Sequence, residues 1–121
     1  MISAKRAFGD QVEAAAAVML GKAGHRILAR QANSRYGEID LITQDGEVIV
    51  FVEVRYRADD RFGGGLQSVD RHKQARLIKA AQAWVVQHPR VALSPMRFDV
   101  IAAHGPLAAL QFEWVKDAFR T

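Results

Sequence analysis

Two acidic residues, Asp40 in the run Tyr36-Gly-Glu-Ile-Asp-Leu-Ile42 and Glu53 in Val50-Phe-Val-Glu-Val-Arg-Tyr-Arg57, have the spacing that metal chemistry needs. The two segments read as strands of one β-hairpin, because Asp45-Gly46 between them is a preferred dipeptide for a tight type I′ turn. A two-residue turn there pairs Gln44 with Glu47, Ile42 with Ile49, Asp40 with Phe51 and Glu38 with Glu53. Side chains alternate along a strand, so Glu38, Asp40 and Ile42 share a face with Ile49, Phe51, Glu53 and Arg55. Asp40 and Glu53 are then diagonal cross-strand neighbours with backbones roughly 7–8 Å apart or slightly less. Carboxylates reaching toward each other from there could share one cation. Glu53 also interrupts an apolar run, Val48 to Val52, and an unpaired buried carboxylate is costly. It needs either a cation shared with Asp40 or a salt bridge to Arg35, Arg55 or Arg97, and both readings are open at this point.

Two more residues point toward the same place. Glu13 borders the apolar stripe of an N-terminal helix, one turn after Gly9, where a glycine would let the helix approach another backbone. It reads either as a third ligand or as a boundary residue. Lys73 falls on the inner side of a second helix, one turn before Leu77, aimed at an anion or snorkelling to solvent.

The elements that must position these groups follow from periodicity. Ser3 to Ala23 reads as an amphipathic helix with Phe8, Val12, Ala15, Met19 and Ala23 on one stripe. His25 to Ala32 reads as a strand and residues 33–36 as a turn. The hairpin strands are Gly37 to Thr43 and Glu47 to Arg55, and the second suits a central position covered on both faces. Residues 56–67 form a polar loop containing Gly63-Gly64-Gly65. Ser68 is the expected cap of a helix over Val69 to His88, ended by Pro89, with Leu77, Ala81, Trp84 and Val85 inward. Strands follow at Met96 to Ala103 and near Ala109 to Val115. The order α-β-β-β-α-β-β implies an α/β (α+β) domain with a mixed sheet.

The ordered set of "YGEIDLI", "VFVEVRYR", "FGGG", "VDRHKQARL" and "RFDV" resembles the YraN-like family of small bacterial proteins, from Phe8 to about Trp114. The resemblance implies a restriction-endonuclease-like fold, with a central mixed β-sheet flanked by helices, and kinship to PD-(D/E)xK nucleases, including archaeal Holliday junction resolvases. It implies Glu13 as the helix glutamate and Asp40 and Glu53 as the metal carboxylates. Arg55 stands where the superfamily has its lysine. Arginine is a poor base because it stays protonated, but it can steady charge developing on a phosphate. Lys73 could supply the missing amine. Arg35, Gly37, Glu38, Lys73, Arg97, Phe98 and Asp99 match positions typical of the family.

Composition agrees with a single domain over residues 1–121, with half of the residues hydrophobic and a quarter charged. Cysteine is absent, so a metal would have to use oxygen or imidazole ligands. The N-terminal stretch reads as neither signal peptide nor membrane span, because Asp10, Glu13 and Lys22 interrupt it, and a cytoplasmic location is expected. A net charge of +4 favours a polyanionic partner. Arg35, Arg57, Arg61, Arg71 and Arg76 are the expected nucleic-acid contacts, and the alternative is a solvated basic surface. The expected function is a Mg²⁺- or Mn²⁺-dependent endonuclease for branched or structured DNA, with Glu13, Asp40, Glu53, Arg55 and Lys73 as its catalytic set. A homodimer is implied only by analogy with resolvases. The rivals are a non-catalytic nucleic-acid-binding or adaptor module on the same fold, and a structural protein whose carboxylates form ion pairs.

Overall fold

A computed structural model describes residues 3–57 and 69–121. Arg61, the Gly63-Gly64-Gly65 triplet and Ser68 lie outside the described residues. The elements are α1 (Ala4–Lys22), β1 (Arg26–Ser34), β2 (Gly37–Asp45), β3 (Val48–Tyr56), α2 (Arg71–Gln87), β4 (Met96–His104) and β5 (Gln111–Phe119). The strands form one five-stranded sheet in the order β1-β2-β3-β4-β5. All neighbours are antiparallel except β3 and β4, whose parallel pairing requires the crossover that α2 supplies. This α+β arrangement, a mixed sheet flanked by two helices, is consistent with a restriction-endonuclease-like fold. No helix among the described residues is long and apolar enough to cross a membrane.

Helix α1 begins where the Ser3 hydroxyl accepts the Arg6 N–H at 3.1 Å. Its buried stripe is Val12, Ala16 and Leu20, rotated from the expected one toward the smaller alanine side of the helix. Ala16 and Leu20 pack on Leu41, Val50, Val52 and Ile101. Phe8 instead meets Tyr56 edge-on at 4.8 Å. A Cβ added at Gly9 would meet nothing within 4 Å, so the expected close approach of backbones at that glycine is absent.

Helix α2 covers the other face of the sheet. Its cap is Asp70, which accepts the Lys73 N–H at 2.9 Å, so the helix starts later than a Ser68 cap would place it. Leu77, Ala80 and Ala81 bury against Ile42, Ile49, Phe51 and Phe98. Pro89, which cannot donate a helical hydrogen bond, follows directly after the C-cap His88.

The hairpin register differs from the sequence expectation. Asp45 pairs with Val48 and Gln44 with Ile49, so Gly46-Glu47 forms the turn. Gly46 has φ 62 while Glu47 has no positive φ, which fits a type II′ turn with glycine first and not the type I′ turn of an Asp-Gly pair. The register slips by two residues. A shift of two by itself moves no side chain across the sheet, but Phe51 now stands opposite Ile42, not Asp40.

A polar network closes the sheet where β2 ends and β4 begins. Asp99 is buried, and each carboxylate oxygen accepts two donors. Oδ1 takes Arg97 Nε at 2.9 Å and the Asp117 N–H at 2.9 Å, and Oδ2 takes Trp114 Nε1 at 3.0 Å and Arg97 Nη2 at 3.3 Å. Arg97 also reaches Asp45 at 3.5 Å. Buried His25 bonds the Thr43 hydroxyl at 2.8 Å and lies 3.6 Å from Asp45. Burial pushes its imidazole below the ordinary range, against the pull of Asp45. Arg97 is therefore committed to Asp99 and Asp45 and is not the salt-bridge partner of Glu53. An Asp99→Asn variant turns one oxygen into a donor facing two donors. It should lose about 1.5–3 kcal/mol, read as a lower denaturant midpoint at unchanged slope.

Candidate metal centre

The site forms where the β2–β3 ladder ends at Leu41–Val52. Continuing that register puts Asp40 directly opposite Glu53. The next backbone donor along β3, the Val54 N–H, bonds to the Asp40 side chain (Oδ2, 2.8 Å). The alternation of β2 also breaks here, since Ile39 packs in the cluster under α2 while Leu41 packs in the cluster under α1. On the neighbouring strand Gln31 takes φ 51, and the β1–β2 pairs run from Arg30–Leu41 to Ala32–Ile39. The pair thus meets at a local irregularity, not on the smooth common face expected from alternation.

The distortion brings Asp40 to α1. One carboxylate oxygen from each of Glu13, Glu38 and Asp40 lies within 4.8 Å of the others. Asp40 also hydrogen-bonds the Glu53 carboxyl, so α1, β2 and β3 together contribute four carboxyl groups. Glu53 is buried and its Oε2 lies 3.0 Å from Lys73 Nζ of α2. That approach lacks hydrogen-bond direction, so the oxygen is paired by charge alone. Glu13 Oε1 is buried with no hydrogen-bond partner.

The electrostatics follow from crowding. Asp40 is pushed up to about 10, first by burial and then by its hydrogen bond and charge interaction with Glu53; the Val54 N–H pulls the other way. Glu13 is raised by burial and by the charge of Glu38, against hydrogen bonds to Gln31 and Asp40. Gln31 is itself held by Asp10 at 2.6 Å. At neutral pH Asp40 holds a proton that a cation would displace. The donors are all oxygen, which fits hard Mg²⁺ or Mn²⁺ better than Zn²⁺. An orphaned buried oxygen on Glu13 belongs with that fit.

A model of the uncharacterised protein family UPF0102 matches residues 12–103. The chain belongs to this family. It is 50% identical over 120 residues to a UPF0102 protein of Xanthomonas oryzae pv. oryzae (strain PXO99A), covering 99% of this chain and 97% of that one. It is 44% identical to one from Stutzerimonas stutzeri (strain A1501), covering 99% and 100%. A third, from Xylella fastidiosa (strain 9a5c), is 46% identical over 116 residues, covering 96% and 94%. The YraN-like resemblance is thus met, and these names carry no activity.

In this UPF0102 chain Glu13, Glu38 and Asp40 form the close carboxylate group, while Glu53, with Lys73 beside it, joins through Asp40 alone. The sequence reading gave Glu38 no ligand role, although its two-residue spacing from Asp40 was a usable signal. Arg55 is half-buried near the end of β3. Arg76 lies over Gly37, with its Cδ and Nε 3.5 Å from where a Cβ would stand. Arg71 and Arg57 are exposed. Arg35 bonds the Tyr36 hydroxyl at 2.7 Å and lies over its ring, so it is not the partner of Glu53 either. A cavity of about 760 Å³ lies away from this chemistry, between α2, the start of β4 and the end of β5, and none of the four carboxylates lines it. Polarity and convergence mark the acidic cluster as the candidate site, not cavity size.

Proposed function

We propose that the protein is a divalent-metal-dependent DNA endonuclease of the PD-(D/E)xK type, acting on branched or structured DNA in the cytoplasm. The observation that carries this reading is the close grouping of Glu13, Glu38 and Asp40 at the opening of the β2–β3 ladder, with Glu53 against Asp40. Glu13, Asp40 and Glu53 would hold Mg²⁺ or Mn²⁺, with Glu38 beside them. When bound, the ion supplies Lewis-acid polarisation of a phosphate and lowers the pKa of water. Deprotonation of Asp40 frees its oxygens for that role. Lys73, no longer needed to neutralise Glu53, can then turn its ammonium to a phosphate oxygen. Arg55 steadies charge without accepting a proton. The exposed arginines Arg57, Arg71 and Arg76 contact the backbone, and α2 carries no acidic residue to repel it.

The Lys73–Glu53 ion pair also favours a second reading, a non-catalytic nucleic-acid-binding module, because it satisfies the buried carboxylate without a metal. A panel of branched, flapped, single-stranded and linear DNAs with Mg²⁺ or Mn²⁺ separates the two. Metal-dependent cleavage of a structured DNA supports the nuclease. Binding without cleavage across the panel replaces it by the binding module. Neither binding nor a metal effect leaves a structural role. Light scattering of the same samples tests the homodimer.

A further inference from the structure

Helix α2 leaves a seam against the edge strand β1. Two hollows of about 320 and 240 Å³ lie along it and share Trp84, Gln87 and His88. The first is floored by the small side chains Ala32, Ala80 and Ala83. The second is flanked by Arg26 and Arg90. No acidic residue lines either hollow. The seam also has a direction. Ala80 stands one turn beyond Arg76, which lies over Gly37, next to Glu38 of the acidic cluster. From Arg76 to His88 the helix rises about 18 Å, the length of about five stacked base steps.

The far end carries an aromatic platform. His88 stacks on Trp84 with ring centroids 4.0 Å apart and planes 16° apart. Its Nδ1 donates to the Trp84 carbonyl at 2.8 Å, which holds the ring flat. Trp84 is anchored below by an edge contact to Phe51, while His88 is exposed. The carbonyl end of α2 opposes an anion here with roughly half a charge. Arg26 and Arg90 bring two full positive charges against it.

We propose that the α2–β1 seam is a groove for an unpaired DNA strand leading away from the acidic cluster, with a base stacked on the Trp84–His88 pair and phosphates held by Arg26 and Arg90. It rests on the nucleic-acid reading above. Small residues give the strand depth, the aromatic pair accepts any base face, and the arginines read phosphate without sequence.

The test titrates the full chain with a labelled thymidine oligomer of about a dozen nucleotides and with a blunt duplex of the same length. The variants are Arg26→Gln/Arg90→Gln, His88→Ala, and the charge-matched control Arg6→Gln/Arg120→Gln, all at exposed positions. The groove double variant should lose about tenfold or more in single-strand affinity, and its salt slope should become shallower by about 1.4, two contacts at about 0.7 each. His88→Ala should lose roughly tenfold for the single strand. The blunt duplex and the control should change less than about twofold. Equal losses for single strand and duplex, equal losses in the control, or unchanged single-strand binding by the groove variants would overturn the groove alone. A wild-type chain that binds neither DNA at low salt overturns the groove together with the nucleic-acid reading.

Discussion

Asp40→Asn should remove, in one substitution, both the pH dependence of stability and the response to divalent metal. Asp40 is pushed up to about 10 in the folded chain against an ordinary 3.8, so between those values the folded state holds a proton that the unfolded state has released. Stability of the metal-free protein therefore falls as pH rises across that window, and Glu13, also raised, adds a decline of the same sign. A divalent cation replaces the protons, so its affinity should rise with pH, binding should release protons, and saturating Mg²⁺ should flatten the decline. Asparagine resembles the protonated carboxyl in shape and still offers an oxygen to the Val54 N–H. The variant should thus fold, lose most of the decline and ignore the metal. Thermal melts from about pH 5 to about pH 9, with and without Mg²⁺, check this. A wild-type melting temperature that is flat or rising over that range contradicts the assignment.

Cleavage should fall about 10²–10³-fold in Lys73→Ala, the usual cost of losing a donor aimed at developing negative charge. DNA affinity should change far less, because Lys73 is one cation beside many. The same variant strands the buried Glu53 carboxylate, so the metal-free chain should be less stable, and Mg²⁺ should restore it by more than it stabilises wild type. Arg55→Lys keeps the charge at the position that the proposed PD-(D/E)xK reading gives to lysine, and it should keep or raise the rate. If wild type cleaves, single-turnover rates at saturating DNA decide the matter. Wild-type rates in Lys73→Ala would remove that residue from the chemistry.

The order of elements along the chain and the inward Lys73 were legible because periodicity and interrupted apolar runs report burial directly. Glu53 in a run of valines shows this most clearly. The turn was misplaced because Asp45-Gly46 is a strong local signal for one turn type, while glycine at the first central position serves another equally well. The slip of two residues left Ile42, Ile49 and Phe51 on one face, since it moves no side chain across the sheet. The kink that delivers Asp40 to Glu13 was not legible. It lies beside Gln31 at φ 51 on β1, and glutamine carries no preference for that region. Asp99 was visible as a motif residue but not as a four-donor anchor, because Trp114 and Asp117 reach it only through the β4–β5 pairing.

Binding of one divalent cation by Glu13, Asp40 and Glu53, as proposed, is measured by calorimetric titration of Mn²⁺ into wild type, Asp40→Asn and Glu53→Gln in two buffers of different ionisation enthalpy. Wild type should bind saturably with proton release, and each variant should lose both. A wild-type titration without binding, or the same binding in all three proteins, rules out this cation site.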